Sequence, residues 1–203
     1  GVSIGRILRL SPFYNSVRAT GLYFDFQHLL KDARRERKII SSCQYFMGRT
    51  EWDKSVIKLL SPGASYFHCD EMIREQFWEQ QWNWKDSEKI IISTTMNPAI
   101  YKGLDMVLRT ALQLSQVGFK YEWKIYGIRA DNPIVKLYEK LLHARFSDTN
   151  VTFEGPVGPE ELAGNFSNTT IFVHPSHVDN SPNSVCEAML MGVPVVAAYI
   201  GGI

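Results

Sequence analysis

The chain has 203 residues, 45% of them apolar, and a formal net charge of +1 at pH 7. This is enough for one large domain with a buried core, or for one domain and part of another. The near-neutral charge gives no reason to expect nucleic acid as a partner. The cysteines Cys43, Cys69 and Cys186 are far apart and odd in number, which argues against a zinc site or a disulfide framework and favours a reducing, cytoplasmic setting. No apolar run reaches the roughly 18 residues of a membrane span.

The first 86 residues carry mainly helical patterns. The run KDARRERK at 31–38 is mostly basic and predicts a helix with a solvated face; the alternative is a basic patch that contacts anionic lipid or a polyanionic substrate. Thr50 and Asp53 have the spacing of a helix start. The patterns then predict a helix at 51–60, a short strand at 64–69, a helix at 70–78 and a hinge at 85–88.

From residue 87 onward the patterns of strands and helices alternate. Short apolar runs predict strands at 90–95, 123–127, 151–153, 170–173 and 193–199. Amphipathic stretches predict helices at 102–118, 132–145, 159–167 and 182–191. This alternation predicts an α/β fold with a Rossmann-like, doubly wound parallel sheet.

Polar loops follow four of these strands, at 94–102, 127–132, 155–160 and 175–184. The carboxyl ends of parallel strands lie at one edge of the sheet, where open α/β sheets bind ligands. We therefore expect the four loops to converge on one ligand.

The stretch from His174 to Gly202 carries the most chemistry. Ser181 followed by Pro182 predicts a helix cap and a first helical residue. The free N–H groups at such a helix start suit a phosphate, and the carboxylates of Asp179 and Glu187 suit a vicinal diol. A phosphate beside a diol describes a sugar nucleotide; the alternative is an ordinary helix cap with a solvated glutamate.

Lys102 lies at a predicted helix start, where the helix dipole disfavours a cation. An anionic ligand explains such a lysine better than solvation does. His174, at the end of a predicted strand, fits a core histidine and a ligand contact equally well.

Five motifs together resemble the carboxyl-terminal domain of retaining glycosyltransferases of family 4 (group 1), whose GT-B fold has two Rossmann-like domains facing a cleft. They are KGLDMVL from Lys102, FEGPV from Phe153, VHPS from Val173, the stretch from Asp179 to Met189, and GVPVV from Gly192. Residues 48–54 and 70–74 resemble the end of the acceptor-side domain more weakly. The resemblance implies a partial amino-terminal domain at 1–86 and a donor-binding domain at 87–203, truncated at its carboxyl end, so that we expect a piece of a longer protein.

The resemblance implies a site for a nucleotide sugar. Glu187 would hold the ribose hydroxyls, Asp179 would contact the transferred sugar and Lys102 would pair with the diphosphate. The other donor-binding residues would be Asn180, Ser181, Asn183, Ser184, Gly127, Gly155, Pro156, Val157 and His174. Neither a metal nor another cofactor is expected, since Lys102 and a helix dipole can neutralise the diphosphate.

Three departures from the family pattern stand out. The first acidic position is Asp179 rather than glutamate, and Met96 stands where the family has an arginine six residues before Lys102, unless Arg129 substitutes for it. The acceptor-side histidine has no clear counterpart. We expect the chain alone to be inactive.

The resemblance implies a transferase that moves a hexose from a nucleotide sugar to a glycan or lipid-linked acceptor with retention, in polysaccharide or cell-envelope biosynthesis. It would be cytoplasmic, or peripheral on the inner membrane face through residues 31–38. One alternative is a non-hydrolysing sugar-nucleotide epimerase. Another, which Met96 favours, is a domain that binds a nucleotide sugar without turnover.

Overall fold

The computed structural model describes residues 22–84, 86 and 88–203. The chain forms two compact units, Gly1–Asp70 and Glu71–Ile203. The units divide before the boundary expected at 86/87, and the domain assignment made from the sequence stays a prediction. The hinge expected at 85–88 includes Lys85 and Ser87, which lie outside the described residues.

The described residues of the first unit form two helices and a small parallel sheet. The elements are α1 Leu22–Ser42, β1 Tyr45–Gly48, α2 Glu51–Leu60 and β2 Ser65–His68, with β1 paired to β2. The helix start expected at Thr50 and Asp53 is confirmed. The Thr50 hydroxyl accepts from the Asp53 amide at 3.1 Å, and the Asp53 carboxylate accepts from the Thr50 amide at 3.3 Å, so each side chain satisfies a free donor of the helix.

The basic run at 31–38 lies on α1, as predicted, and almost all of its side chains are exposed. Arg35 pairs with Asp32 at 3.4 Å on this surface. Contact of the run with lipid stays a prediction. Among the described helices, none combines the length and the apolar character that crossing a membrane requires.

The helix expected at 70–78 is wrong: this part of the chain contains only a 3₁₀ turn at Glu75–Phe77. We call residues 71–84 the lead segment. Instead of forming a helix, it packs against the rest of the second unit, to which it belongs. Phe77 is fully buried with its ring centroid 5.8 Å from that of Phe166. The Trp82 indole N–H donates to the Thr169 carbonyl at 2.5 Å, and the Trp82 amide donates to the Met191 carbonyl at 2.8 Å. Tertiary packing therefore overrides the local helical pattern.

The second unit is built on a five-stranded parallel sheet in the order β5-β4-β3-β6-β7. The strands are β3 Ile90–Thr95, β4 Tyr121–Tyr126, β5 Val151–Gly155, β6 Ile171–His174 and β7 Val195–Ala197. The helices are α3 Leu104–Gln116, α4 Pro133–Leu142, α5 Pro159–Phe166 and α6 Asn183–Met191, with 3₁₀ turns at Ile100–Lys102 and Phe146–Asp148. The predicted doubly wound α/β fold is confirmed, and the strand order reverses direction between β3 and β6.

Two apolar clusters form the core of this unit. One contains α3 and α4 against Ile92, Trp123 and Ile125 of the sheet. The other contains α5, α6 and Phe77 against Tyr126 and Phe172. Because successive strand residues point to opposite faces, helices cover both faces of the sheet, and the lead segment contributes to the second cluster.

Replacement of Phe77 by alanine should destabilise the second unit by about 3–5 kcal/mol, since it opens a cavity under Phe166. Met72→Ala is the matched control, because Met72 belongs to the same segment but is 92% exposed. Urea unfolding followed by the fluorescence of buried Trp123 measures the difference. Equal stability of the two variants would contradict the packing described for the lead segment.

Candidate active site

A cleft lies at the point where the strand order of the sheet reverses. The loops after β3 and β6 leave in opposite directions there, as in other open α/β sheets that bind ligands. The cleft has a volume of about 370 Å³. All four loops expected to converge contribute to its lining. The lining residues are Thr95, Met96, Asn97, Lys102, Tyr126, Gly127, Pro156, Val157, Leu162, His174, Asp179, Pro182, Asn183 and Ser184.

Lys102 reaches the cleft from a 3₁₀ turn rather than from the first turn of the helix expected there. The α-helix begins at Leu104, and Gly103 before it has a φ of 77°. A Cβ atom at Gly103 would overlap the Pro175 carbonyl oxygen. Glycine therefore lets the loop after β3 pack against the loop after β6, where the His177 amide also donates to the Tyr101 carbonyl at 2.7 Å.

Lys102, Asp179 and His174 form one hydrogen-bonded cluster in the cleft. The Lys102 Nζ donates to Asp179 Oδ2 at 2.6 Å, and His174 Nε2 lies 2.9 Å from the same oxygen. The Asn180 amide donates to Asp179 Oδ1 at 3.0 Å. Only 13% of the Asp179 side chain and 2% of the His174 side chain are exposed. The loops after β3 and β6 are thus joined through one carboxylate.

The charges of this cluster follow from its burial. Burial alone would raise the pKa of Asp179, but the hydrogen bond and charge of Lys102, with His174 and the Asn180 amide, outweigh it and lower the pKa. Burial lowers the pKa of His174, and the Asp179 carboxylate offsets only part of that effect. The carboxylate is therefore ionised and the imidazole neutral near pH 7.

The tautomer of His174 follows from its neighbour. A carboxylate only accepts hydrogen bonds, so the neutral imidazole must carry its proton on Nε2 and donate it to Asp179. His174 Nδ1 is then an unprotonated acceptor. It is buried and has no hydrogen-bond partner among the described residues.

The amino-terminal end of α6 forms one side of the cleft. The helix begins at Asn183 with Pro182 as its N-cap, one residue later than expected, because Ser181 adopts a left-handed conformation with a φ of 49°. No side chain caps this helix start. Asn183 and Ser184 line the cleft, where the positive end of the helix dipole favours an anion.

Glu187 lies on α6 but is not part of the cleft lining, and 2% of its side chain is exposed. Arg74 binds both carboxylate oxygens: Nε donates to Oε1 at 2.7 Å and Nη2 donates to Oε2 at 2.9 Å. The sequence patterns did not single out Arg74, which stands 113 residues before its partner. No local periodicity or spacing connects two such positions.

The other predicted site residues divide into two groups. Those that line the cleft are Gly127, Pro156, Val157, His174, Asn183 and Ser184; those outside its lining are Gly155, Asn180 and Ser181. Gly127 has a φ of 98°, and a Cβ atom there would overlap the Met96 carbonyl oxygen. The assignment of donor-binding roles to these residues stays a prediction.

Several cleft residues were not assigned to the site from the sequence. Thr95, Asn97, Tyr126, Leu162 and Pro182 are among them. Met96, which stands where the family has an arginine, is 6% exposed and also lines the cleft. For Thr95, Asn97 and Tyr126 the available signal was their position at or just after the ends of β3 and β4. Arg129, the residue considered as a substitute for the missing arginine, is not part of the lining.

Metal ligands are not gathered anywhere in the part of the chain that the structure describes. Within residues 22–84, 86 and 88–203, no group of three or more His, Cys, Asp or Glu side chains could hold an ion. Among the side chains that the structure describes, Lys102 and Asp179 are the charged ones that line the cleft.

Comparison with known proteins identifies the second unit. Residues 87–203 match the family model described as glycosyl transferases group 1. No curated protein sequence matches the chain.

Solved structures of GT-B glycosyltransferases share its fold. Sucrose-phosphate synthase from Thermosynechococcus elongatus is 16% identical with a TM-score of 0.64, over 82% of this chain and 43% of that one. Anabaena HepE in complex with UDP-glucose is 16% identical with a TM-score of 0.64, over 83% and 49%. WaaG, a glycosyltransferase involved in lipopolysaccharide biosynthesis, is 16% identical with a TM-score of 0.62, over 77% and 44%. The chain spans less than half the length of each.

Replacement of Gly103 by alanine should separate the loops after β3 and β6. The Gly118→Ala variant is a matched control, because Gly118 also has a positive φ, 68°, but a Cβ atom there meets nothing within 4 Å. Backbone strain of about 1–2 kcal/mol is common to both, and the overlap with Pro175 adds to it only at Gly103. Thermal unfolding should therefore show a larger loss for Gly103→Ala; equal losses would contradict the close approach.

The stability of the second unit should fall as the pH drops below the ordinary His174 pKa of 6.5. Because the pKa is lowered in the folded state, the unfolded chain binds more protons in the window just below 6.5, and the free energy of unfolding rises with pH there. In His174→Gln this slope should be largely lost. Asp179 contributes only at more acid pH, below its ordinary pKa of 3.8.

Urea unfolding between about pH 5 and pH 7.5 measures this slope. His177→Gln is the control, since His177 is exposed and pairs with Asp105 outside the cluster. A slope that persists unchanged in His174→Gln would show that His174 is not its source.

Proposed function

The chain belongs to the glycosyl transferases of group 1, and we propose from this premise that its cleft binds a nucleotide-activated hexose. The protein then transfers the hexose to a glycan or lipid-linked acceptor with retention of configuration. The observation that carries this proposal is the Lys102–Asp179 pair beside the start of α6. A lysine and a helix amino terminus facing one cleft suit a diphosphate.

Lys102 binds the diphosphate of the donor. In the free protein its counter-ion is Asp179, at 2.6 Å. When the diphosphate enters, Lys102 exchanges one anionic partner for another, and Asp179 becomes available to accept a hydrogen bond from a sugar hydroxyl. Lys102 stays paired, and Asp179 keeps its hydrogen bonds from His174 and the Asn180 amide, so neither buried group is left without a partner, which would be costly.

The base and ribose of the donor lie along the ends of β4 and β5. Gly127, Pro156 and Val157 line the cleft there, and Pro156 with Val157 offers an apolar contact to the base. The ribose extends toward α6 and Glu187. HepE, whose fold this chain shares, is solved with UDP-glucose, which supports a nucleotide sugar as the donor class.

The transfer breaks the bond between the anomeric carbon and the diphosphate oxygen. The acceptor hydroxyl oxygen forms the new bond on the same face of the sugar, and its proton passes to the departing diphosphate. Lys102 and the N–H groups at the start of α6 stabilise the charge that develops on the leaving group. This chemistry needs no metal ion.

Met96 favours a second function, in which the protein binds a nucleotide sugar without transferring it. Met96 lies in the cleft wall, where it offers no second positive charge to the leaving group. An assay for transfer, hydrolysis and epimerisation of donor sugars with the full-length protein separates these functions. Transfer supports the first, epimerisation supports an epimerase, and donor binding without turnover supports the second.

The setting proposed for the protein is the cytoplasm, on or near the inner membrane face, in polysaccharide or cell-envelope biosynthesis. WaaG is involved in lipopolysaccharide biosynthesis, which supports that class of pathway. The exposed basic residues of α1 support contact with anionic lipid, through electrostatic attraction.

Lys102→Gln should lower the affinity for UDP by about tenfold or more, since it removes a charge-assisted hydrogen bond to the diphosphate. Lys136→Gln, at an exposed position on α4, should leave the affinity unchanged. Isothermal titration calorimetry with UDP measures both. An affinity in Lys102→Gln equal to that of the unmodified protein would refute the assignment of Lys102 to the diphosphate.

A further inference from the structure

We propose that Arg74 is a positioning residue that holds the Glu187 carboxylate in place for the two hydroxyl groups of a ribose, an inference that rests on the nucleotide-sugar function proposed above. Arg74 belongs to the lead segment and lies outside residues 87–203, which match the family model. It is nevertheless part of the same compact unit as Glu187.

The contact between the two side chains is a fork. The Arg74 Nε and Nη2 atoms each donate to a different carboxylate oxygen, at 2.7 and 2.9 Å. Two parallel bonds fix the plane of the carboxylate as well as its position. A lysine could supply the charge but not this fixed geometry.

Burial makes the contact necessary for Glu187. Its side chain is 2% exposed, whereas that of Arg74 is 46% exposed. A buried carboxylate without a partner either takes up a proton or moves toward water. Arg74 therefore gives the buried Glu187 carboxylate a charged partner on α6, next to the residues that line the cleft.

Arg74 is itself held in place. Its guanidinium carbon lies 4.9 Å from the centroid of the Phe77 ring, and Phe77 is fully buried. The cation thus stacks on a ring that cannot move without opening the core. This arrangement suits a fixed support for Glu187 better than a gate that swings away.

The fork does not use all of the hydrogen-bond acceptor positions of the Glu187 carboxylate. Each carboxylate oxygen can accept about two hydrogen bonds, and Arg74 uses one on each. Glu187 follows Ser184 by three residues and Asn183 by four, so the three share one face of α6. A nucleotide in the cleft therefore approaches Glu187 from the Ser184 side, and the remaining acceptor positions match the two hydroxyls of a vicinal diol.

The test compares UDP with 2′-deoxy-UDP, which lacks one of the two hydroxyls. Isothermal titration calorimetry is run on the unmodified protein and on Arg74→Ala, Arg74→Lys, Glu187→Gln and Arg109→Ala. Arg109 is an exposed residue of α3 and serves as the control. Thermal unfolding of each variant checks folding, and Arg74→Lys keeps the charge if Arg74→Ala fails to fold.

The unmodified protein and Arg109→Ala should prefer UDP by about tenfold, as expected for a hydrogen bond to a charged group. Arg74→Ala and Glu187→Gln should bind both nucleotides with nearly equal affinity, and Arg74→Lys should keep part of the preference. The affinity for 2′-deoxy-UDP should change little, because the diphosphate contacts remain.

Five results would overturn the inference. Equal losses for both nucleotides in Arg74→Ala and Arg74→Lys would mean that Arg74 only supports the fold, and a gain in UDP affinity would mean that Arg74 competes with the ribose. If the preference for UDP were lost in Glu187→Gln but kept in the Arg74 variants, the role proposed for Arg74 would be refuted, whereas the contact between Glu187 and the ribose would be supported. If the unmodified protein bound UDP without any preference, the ribose contact would fail; if it bound no UDP, the proposed function would fail as well.

Discussion

The second unit depends on keeping the buried Asp179 carboxylate satisfied. Lys102 and His174 bind one of its oxygens and the Asn180 amide binds the other. Its backbone is fixed too, because the Asp179 carbonyl accepts from the Gly202 amide at 3.2 Å. Through its carboxylate and its carbonyl, Asp179 thereby joins the segments that follow β3, β6 and β7. Together with the close approach of Gly103 to Pro175, Asp179 fixes the shape of the cleft.

The two acidic residues expected to bind the donor are both paired within the protein. Asp179 has Lys102, and Glu187 has Arg74. Both pairs satisfy carboxylates that burial would otherwise penalise, but they differ in what a ligand can do. A diphosphate can replace Asp179 on Lys102, whereas a diol carries no charge and can only share Glu187 with Arg74. The Lys102–Asp179 pair is therefore suited to exchanging its anion for a ligand, whereas the Arg74–Glu187 pair is suited to staying together when a ligand binds.

The sheet and most of the cleft could be predicted from the sequence, because continuous β-branched runs and loops after each strand are local signals. The alternating pattern predicted that the loops of Lys102 and Asp179 lie at one edge of the sheet; the two side chains meet because β3 and β6 are neighbours in it. The helix expected at 70–78 does not form, since Phe77 and Trp82 gain more by packing against distant residues than by helix formation. The pairing of Arg74 with Glu187 could not be predicted either, because it depends on how the lead segment packs and the two residues are 113 positions apart in the chain.

The packing of Phe77 under Phe166 has a consequence for where this domain begins. The region that resembles other proteins in sequence starts at residue 87, but the piece that is closed against water starts earlier, with the lead segment. A protein cut at residue 87 would keep the whole sheet and the whole family signature, yet it would expose an aromatic surface and leave Glu187 without its arginine. The stretch that matches the family model, 87–203, is therefore shorter than the stretch that packs into one unit, Glu71–Ile203.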